Sequence, residues 1–145
     1  MKNPRDKSIG AQMSIALQLM KRKNHQAIAE AGFEITMEQL VVLEILNFNG
    51  DMNMTELSKT VWKQNANITR IVDKLEKRKL VVRKAVAGDR RANLLSITVI
   101  GKQLFNDVIP IIAENYNDIT SCITKEEEAI TIKTMIKIIK HLSQS

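Results

Sequence analysis

Asn67-Ile-Thr-Arg-Ile-Val-Asp-Lys-Leu-Glu76 sets the architecture of the whole chain. Its apolar residues recur at three- and four-residue steps, which predicts a helix with one buried face. The apolar positions are Ile68, Ile71, Val72 and Leu75. After this helix the period changes, because residues 80–86 and 93–97 are short runs of β-prone residues. The segment 87–92 between them, with a glycine and three charged residues, predicts the loop of a β-hairpin with a basic tip.

Helix start and stop signals extend this assignment in both directions. Thr36-Met-Glu-Gln39, Asn53-Met-Thr-Glu56 and Thr124-Lys-Glu-Glu127 have the spacing of capping boxes and predict three helix starts. A helix over 8–30 is expected to stop at Gly32. Thr98 is expected to cap a long helix, which Pro110 should kink or split.

The order of these elements predicts the fold class. Two short helices followed by a two-stranded hairpin is the order of a winged helix-turn-helix. We therefore expect a mainly α chain with a small β-hairpin wing. The winged helix-turn-helix would span 36–98, flanked by dimerisation helices in 1–35 and 99–145 of a single domain.

Basic charge is concentrated in the middle third of the sequence. The 145 residues carry 22 Lys and Arg against 16 Asp and Glu, a formal net charge of +6. Between Asn53 and Gly101 there are eleven basic and four acidic residues, so the positive excess lies there. This distribution favours a polyanionic partner, although a solvated basic face is the alternative that charge alone leaves open.

The sequence argues against several other classes of protein. Cys122 is the single cysteine, and His25 and His141 lie far apart, so we expect no disulfide, no metal site and no cofactor. Neither a secretory signal nor a membrane span is predicted, which indicates a cytoplasmic protein. No glycine-rich phosphate loop and no nucleophile with a plausible base is found, so an enzyme is not expected.

The polar residues of the second short helix are suited to DNA. Asn and Gln can bond adenine in the major groove and Arg can bond guanine, whereas Lys suits phosphates. The predicted base-contacting residues are Gln64, Asn65, Asn67, Thr69 and Arg70, and the predicted backbone contacts are Lys63 and Lys74. The alternative is an ordinary polar helix face, with Asn65 or Asn67 acting only as a helix cap.

The hairpin tip supplies a second set of candidates. Arg90 and Arg91 are expected to enter a narrow minor groove, where the negative potential is enhanced. Asp89 has no use against phosphate and is interpreted as a partner within the protein that orients an arginine.

At this level of detail the sequence resembles the MarR family of bacterial transcription regulators. The similarity lies in Asn67–Glu76, in Leu80-Val-Val-Arg83, in Gly88-Asp-Arg-Arg-Ala92 and in Leu95-Ser-Ile-Thr98 with Gly101. The resemblance implies that Arg91 is the wing arginine and Asp89 its partner, with Arg90 on a variable position. Lys79 departs from the family, which usually has glycine there, so either this residue adopts a strained left-handed backbone or the helix ends differently.

The resemblance also implies how such a protein works. It implies a homodimer on a pseudo-palindromic double-stranded DNA operator, a repressor role, and release by a small aromatic ligand bound between the dimer helices and the DNA-binding module. Met13, Met20, Met37, Phe33 and Phe48 are candidates for lining such a pocket, although residues of these types usually form plain core.

Two alternatives remain at this stage. The terminal helices could form a monomer's own core, and the module could be an architectural or protein-interaction domain with weak, non-specific DNA binding. Cys122 lies between the last two predicted helices, which does not support sensing of oxidants through a cysteine near the N-terminus. His25 is interpreted as a surface or packed residue.

Overall fold

The structure is a computed structural model that describes residues 4–61 and 65–144, and the backbone alone for residues 4–5, 65–66 and 89–92. After a short 3₁₀ turn the described chain contains six helices and one hairpin. These are α1 (Ile9–Glu30), α2 (Met37–Asn49), α3 (Met54–Thr60), α4 (Asn65–Lys77), β1 (Val81–Val86), β2 (Asp89–Ile97), α5 (Val99–Thr120) and α6 (Lys125–Ser143). The predicted fold class, a mainly helical chain with a hairpin wing, is confirmed.

The predicted capping boxes form as reciprocal pairs of hydrogen bonds. At the start of α2, the Thr36 hydroxyl accepts the amide of Gln39 at 3.1 Å, and the Gln39 side chain accepts the amide of Thr36 at 3.1 Å. Asn53 and Thr124 form the same arrangement at the starts of α3 and α6. Each box satisfies two amides that a helix start would otherwise leave unbonded, which explains why these helices begin where the sequence predicts.

One face of α4 packs into the hydrophobic core, as its periodicity predicts. Ile68, Val72 and Leu75 are fully buried, and Ile71 is half-buried against the same core. The other buried apolar residues come from α1, α2, α3, the hairpin, α5 and the segments just before α2 and β1: Ile28, Ile35, Leu40, Val42, Leu43, Leu46, Leu57, Leu80, Val81, Leu95, Phe105 and Val108. Since this face of α4 is held in the core, its remaining faces are left for solvent or a partner.

The hairpin is tighter than the sequence predicts. The expected six-residue loop over 87–92 is wrong, because β2 begins at Asp89 and only Ala87 and Gly88 form the turn. Gly88 has a φ of +85°, a conformation that favours glycine in a two-residue hairpin turn. Val86 pairs with Asp89 but Ala85 pairs with Asn93, so residues 90–92 form a bulge beside the turn.

The hairpin is joined to the helical module through Met52. The amide of Met52 donates to the carbonyl of Leu95 at 3.1 Å, and the amide of Leu95 donates back to Met52 at 2.7 Å. Leu95 pairs with Arg83 of β1 on its other side, so β2 is held between β1 and the segment that follows α2. The sequence signals did not predict this bridge, because a single residue has no strand periodicity.

Lys79 ends α4 in the left-handed conformation, which is one of the two alternatives expected where the family has glycine. Its φ is +59°, and among the described residues it is the one non-glycine with a positive φ. The amide of Lys79 donates to Glu76 and the amide of Leu80 donates to Leu75, which is the Schellman pattern of helix termination. Leu75 and Leu80 are both buried, so an apolar contact accompanies the turn.

Gly101 allows the first turn of α5 to approach the end of α4. The Leu80 carbonyl accepts the amide of Thr98 at 3.0 Å. The Thr98 hydroxyl donates to the Lys79 carbonyl at 2.7 Å and accepts the amide of Gly101 at 3.0 Å. A Cβ on Gly101 would lie 2.2 Å from the Leu80 carbonyl oxygen, which is closer than any side chain can approach. We call this arrangement of Lys79, Leu80, Thr98 and Gly101 the α4–α5 junction.

The chain divides into two compact units, Met1–Ile112 and Ala113–Ser145. Helix α5 runs unbroken through Pro110, so the expectation that the proline would split it is wrong. Within the second unit the Tyr116 hydroxyl donates to Glu128 at 2.6 Å, and this bond raises the pKa of Tyr116 and lowers that of Glu128. In the described part of the chain, no helix is long and apolar enough to cross a membrane.

Replacing Lys79 by glycine is expected to stabilise the fold. A left-handed non-glycine residue costs about 1 kcal/mol or more, and glycine's larger unfolded-state entropy offsets part of that gain. Lys79→Gly should therefore raise the free energy of unfolding in urea by up to about 1 kcal/mol. Lys79→Ala is the control, because alanine keeps the strain; equal stability of the two variants would contradict a strained Lys79.

Gly101→Ala is expected to destabilise the protein by about 2 kcal/mol or more, because the new methyl group overpacks the α4–α5 junction. Gly10→Ala is the matched control in α1, where the nearest atom to the new Cβ is the Ser8 hydroxyl at 3.8 Å. Gly10→Ala should be neutral or stabilising, since alanine favours a helix over glycine. A similar loss in both variants would show that the close approach at Gly101 is unimportant.

Candidate nucleic-acid interface

Three of the predicted DNA-contacting residues share one surface of α4. Asn67, Arg70 and Lys74 are exposed and lie three, four and seven residues apart, so they occupy successive turns. Together with Thr36, the N-cap of α2, and Gln39 in the first turn of α2, they border a shallow cavity of about 340 Å³. An amide, a guanidinium and an ammonium group are thus presented together. We call Asn67, Arg70 and Lys74 the α4 polar face.

The structure describes the other residues predicted to contact DNA in and before α4 less completely. Thr69 is half-buried on α4 and has a further interaction within the protein. Asn65 is the first residue of α4, and its side chain is not among those described. Lys63 and Gln64 lie outside the described residues. The base and phosphate contacts predicted for these four residues remain predictions.

The predicted wing residues lie at the start of β2. Asp89 pairs with Val86 next to the turn, and Arg90 and Arg91 belong to the bulge. At the two arginines the backbone therefore departs from regular strand geometry. Bulges of this kind often redirect side chains next to functional sites. Their side chains are not described, and the proposed pairing of Asp89 with an arginine stays a prediction.

Arg83 makes two ion pairs that the sequence signals did not single out. One guanidinium nitrogen lies 2.8 Å from Asp73 Oδ1, and the other lies 2.8 Å from Glu76 Oε1. Arg83 belongs to β1, whereas both acids belong to α4 and lie one turn apart. The pKa of Arg83 is raised, chiefly by its hydrogen bond with Asp73, so the guanidinium stays cationic. We call these three residues the Arg83 fork.

Two further basic residues of the middle third also bond within the protein. The Arg78 guanidinium donates to the backbone carbonyl of Glu34, which joins the end of α4 to the loop before α2. The Lys84 ammonium lies 3.6 Å from Asp51 Oδ2, next to the Met52 bridge. Counting Arg78, Arg83 and Lys84 toward a DNA-binding surface, as total charge does, therefore overstates that surface. Arg70 and Lys74 of the α4 polar face are the better candidates.

An apolar cavity of about 380 Å³ lies beneath α4. It is lined by α1, α2 and α4, and Met20 and Met37, two of the predicted pocket residues, are part of its wall. Ile68 and Ile71 form the wall that α4 contributes to this cavity, and the α4 polar face lies on another side of the same helix. A molecule in this cavity would contact α4 directly.

A second cavity, of about 620 Å³, lies at the other end of α4. Phe33, another predicted pocket residue, lines it together with His25. Lys74 and Lys77 border it from the C-terminal half of α4. Lys74 therefore borders both this cavity and the shallow one beneath the α4 polar face.

Comparison with known proteins agrees with this geometry. A family model described as the MarR family matches residues 35–92. The HTH-type transcriptional regulator MhqR of Bacillus subtilis is 35% identical over 89 residues, which span 61% of this chain and 61% of MhqR. The matched family segment contains α2, α3, α4, β1 and the first part of β2.

Solved structures share the fold at low sequence identity. A mutant of Escherichia coli MarR complexed with operator DNA superposes with a TM-score of 0.82 at 20% identity, covering 95% of this chain and 99% of that one. BpsR of Bordetella bronchiseptica, whose DNA binding is regulated by 6-hydroxynicotinic acid, superposes with a TM-score of 0.85 at 20% identity. That match covers 95% of this chain and 97% of BpsR.

Lys74→Ala provides a test of the α4 polar face. If Lys74 neutralises one phosphate, the slope of log affinity against log salt should become shallower by about 0.9. The measurement is fluorescence anisotropy on labelled duplex DNA across a salt series. Lys133→Ala on α6 removes the same charge outside the helix-turn-helix and the hairpin, and should leave the slope unchanged. An unchanged slope for Lys74→Ala would remove Lys74 from the interface.

Proposed function

We propose that the chain is a member of the MarR family, that it is a homodimeric, sequence-specific DNA-binding transcription regulator, and that it is not an enzyme. It acts in the cytoplasm as a repressor that a small-molecule ligand releases from a pseudo-palindromic operator. Its relative MhqR is named as a transcriptional regulator, and the similar E. coli MarR structure contains operator DNA.

The α4 polar face is the observation that carries this proposal. Asn67 and Arg70 have the side chains that bond adenine and guanine edges in the major groove, and Lys74 is one turn further along, where a phosphate contact would position the helix. The burial of Ile68, Val72 and Leu75 holds the opposite side of the helix rigid. A rigid helix with these exposed groups is what direct recognition of bases requires.

Exposed apolar residues on the terminal helices support the homodimer. On α1, Ile9, Ile15, Leu17 and Leu19 are between 49% and 59% exposed. On α6, residues with 49% to 66% exposure are Ile130, Ile132, Ile136, Ile139 and Leu142. A monomer in water rarely leaves so many large apolar side chains uncovered, and a second copy is the common solution. Two-fold symmetry would place two copies of α4 about 34 Å apart on DNA.

The apolar cavity beneath α4 supports regulation by a ligand. Its volume of about 380 Å³ falls in the range that holds small organic molecules, and its wall is mostly apolar. A ligand that displaced Ile68 or Ile71 would shift α4 and with it the α4 polar face. Such a ligand weakens DNA binding to the extent that it binds the shifted state more tightly. A small aromatic compound suits this cavity.

Selection of duplexes from a random-sequence pool tests the proposed function. The purified protein should enrich one pseudo-palindromic sequence and bind it about a thousandfold more tightly than random duplex at physiological salt. Light scattering should give the mass of two protomers for each duplex. Equal affinity for selected and random duplexes would contradict a sequence-specific regulator and favour an architectural module with weak, non-specific binding.

Asn67→Ala should reduce discrimination more than general affinity. Loss of a bidentate contact with adenine is expected to weaken binding to the selected duplex about tenfold or more, with little change on random duplex. Asn106→Ala is the matched control, because Asn106 is an exposed asparagine of α5 outside the helix-turn-helix. Equal losses on both kinds of DNA would make Asn67 a residue that positions the helix without reading bases.

A further inference from the structure

We infer that Arg83 is a positioning residue, which sets the orientation of the hairpin relative to α4 and so supports DNA recognition without contacting DNA. This inference rests on the proposed function, because orientation matters only if α4 and the hairpin bind one duplex together. It adds a role for three residues that the proposal itself does not use: Asp73, Glu76 and Arg83.

The geometry of the Arg83 fork favours orientation over simple attraction. Each of the two terminal guanidinium nitrogens bonds a different carboxylate at 2.8 Å, and the two carboxylates lie on consecutive turns of α4. A planar guanidinium held at two points cannot rotate freely, whereas a single ion pair would allow it. The side chain of Arg83 is also only 27% exposed, so its stem is packed.

The fork lies at the level where the hairpin is anchored. Arg83 pairs with Leu95, and Leu95 bonds Met52 on its other side. At this level the hairpin is therefore fastened to α4 through the fork and to the segment after α2 through the bridge. The turn at Ala87 and Gly88 lies roughly 13 Å further along the strand. A small rotation at the anchored level therefore moves the bulge that carries Arg90 and Arg91 by a larger distance.

The charges of the fork argue against a direct phosphate contact. One guanidinium and two carboxylates carry a net charge of −1, and Asp73 and Glu76 are 52% and 40% exposed. Carboxylates on a helix that approaches DNA repel phosphates, so they weaken binding unless they serve another purpose. An ion pair this exposed adds little to folding stability. Holding Arg83 in one orientation is the purpose that the geometry supports.

A variant that neutralises both acids separates orientation from charge. Asp73→Asn with Glu76→Gln raises the net charge by two, so an account based on charge alone expects tighter binding to any duplex. The positioning role expects the reverse on the selected duplex, about tenfold weaker binding, with random duplex bound as well as or better than before. Glu44→Gln with Asp107→Asn makes the same change in charge on α2 and α5 and is the matched control.

Combining these substitutions with Arg91→Ala gives a second readout. If the fork positions the hairpin, Arg91→Ala should cost much less affinity in the neutralised variant than in the wild type. Equal costs in the two backgrounds, or tighter binding of the neutralised variant to the selected duplex, would overturn the inference. If the wild type shows no preference for any duplex, the proposed function fails. A measurement on the protein without DNA then decides the inference.

In the free protein, NMR order parameters of the hairpin amides measure the fork without DNA. Values for 84–94 should fall from near 0.85 toward 0.6 in the neutralised variant, while those of α2 and α5 stay unchanged. Unchanged hairpin values would overturn the inference whether or not DNA binding is specific. Asp73→Glu with Glu76→Asp keeps both carboxylates and should retain most of the wild-type order of the hairpin amides.

Discussion

The backbone of Leu80 is the point on which the arrangement of this protein depends. Its amide closes α4 by donating to Leu75, and its carbonyl accepts Thr98 at the start of α5. Three elements therefore meet at one residue: α4, the hairpin that follows it, and the long helix that follows the hairpin. These bonds form because Lys79 adopts a left-handed backbone conformation and because Gly101 has no side chain. The strain at Lys79 persists because the surrounding bonds leave the chain no alternative path.

The same region separates the basic residues into two groups. Arg78, Arg83 and Lys84 bond Glu34, the α4 acids and Asp51, and so hold the hairpin and the loops in place. Arg70 and Lys74 are exposed on α4 and remain for a polyanion. The net charge therefore favours a polyanionic partner, and the geometry identifies the cationic side chains that are available to bind one. This division explains how a strongly basic module can still carry acids on α4, the helix that we propose to face DNA.

Features that depend on neighbouring residues were predicted well from the sequence. The three capping boxes and the buried stripe of α4 each follow from bonds or contacts within about five residues. The left-handed end at Lys79 was one of two alternatives that the sequence left open. Helical periodicity predicts that Asn67, Arg70 and Lys74 lie on one face of α4, and they are exposed there; their contact with DNA stays a prediction. The cluster on α4 is accordingly the part of the site that the structure describes most fully.

Features that depend on distant residues were not predictable in this way. The turn of the hairpin is two residues long because cross-strand pairing extends β2 to Asp89, and charged residues in 89–92 conceal that pairing. The Met52 bridge, the Arg83 fork and the space that Gly101 must leave each join segments far apart in sequence. For the fork, an acid pair three residues apart on a basic helix was the available signal, and a single sequence does not name its partner.

Methylation of a selected duplex by dimethyl sulfate tests most directly whether α4 and the hairpin bind DNA together. The reagent modifies guanine N7 in the major groove and adenine N3 in the minor groove, so one reaction reports on both grooves. The account predicts protected guanines in two half-sites about one helical turn apart, with protected adenines in the minor groove flanking each half-site. Protection of adenines alone, or of a single half-site without two-fold symmetry, would contradict it.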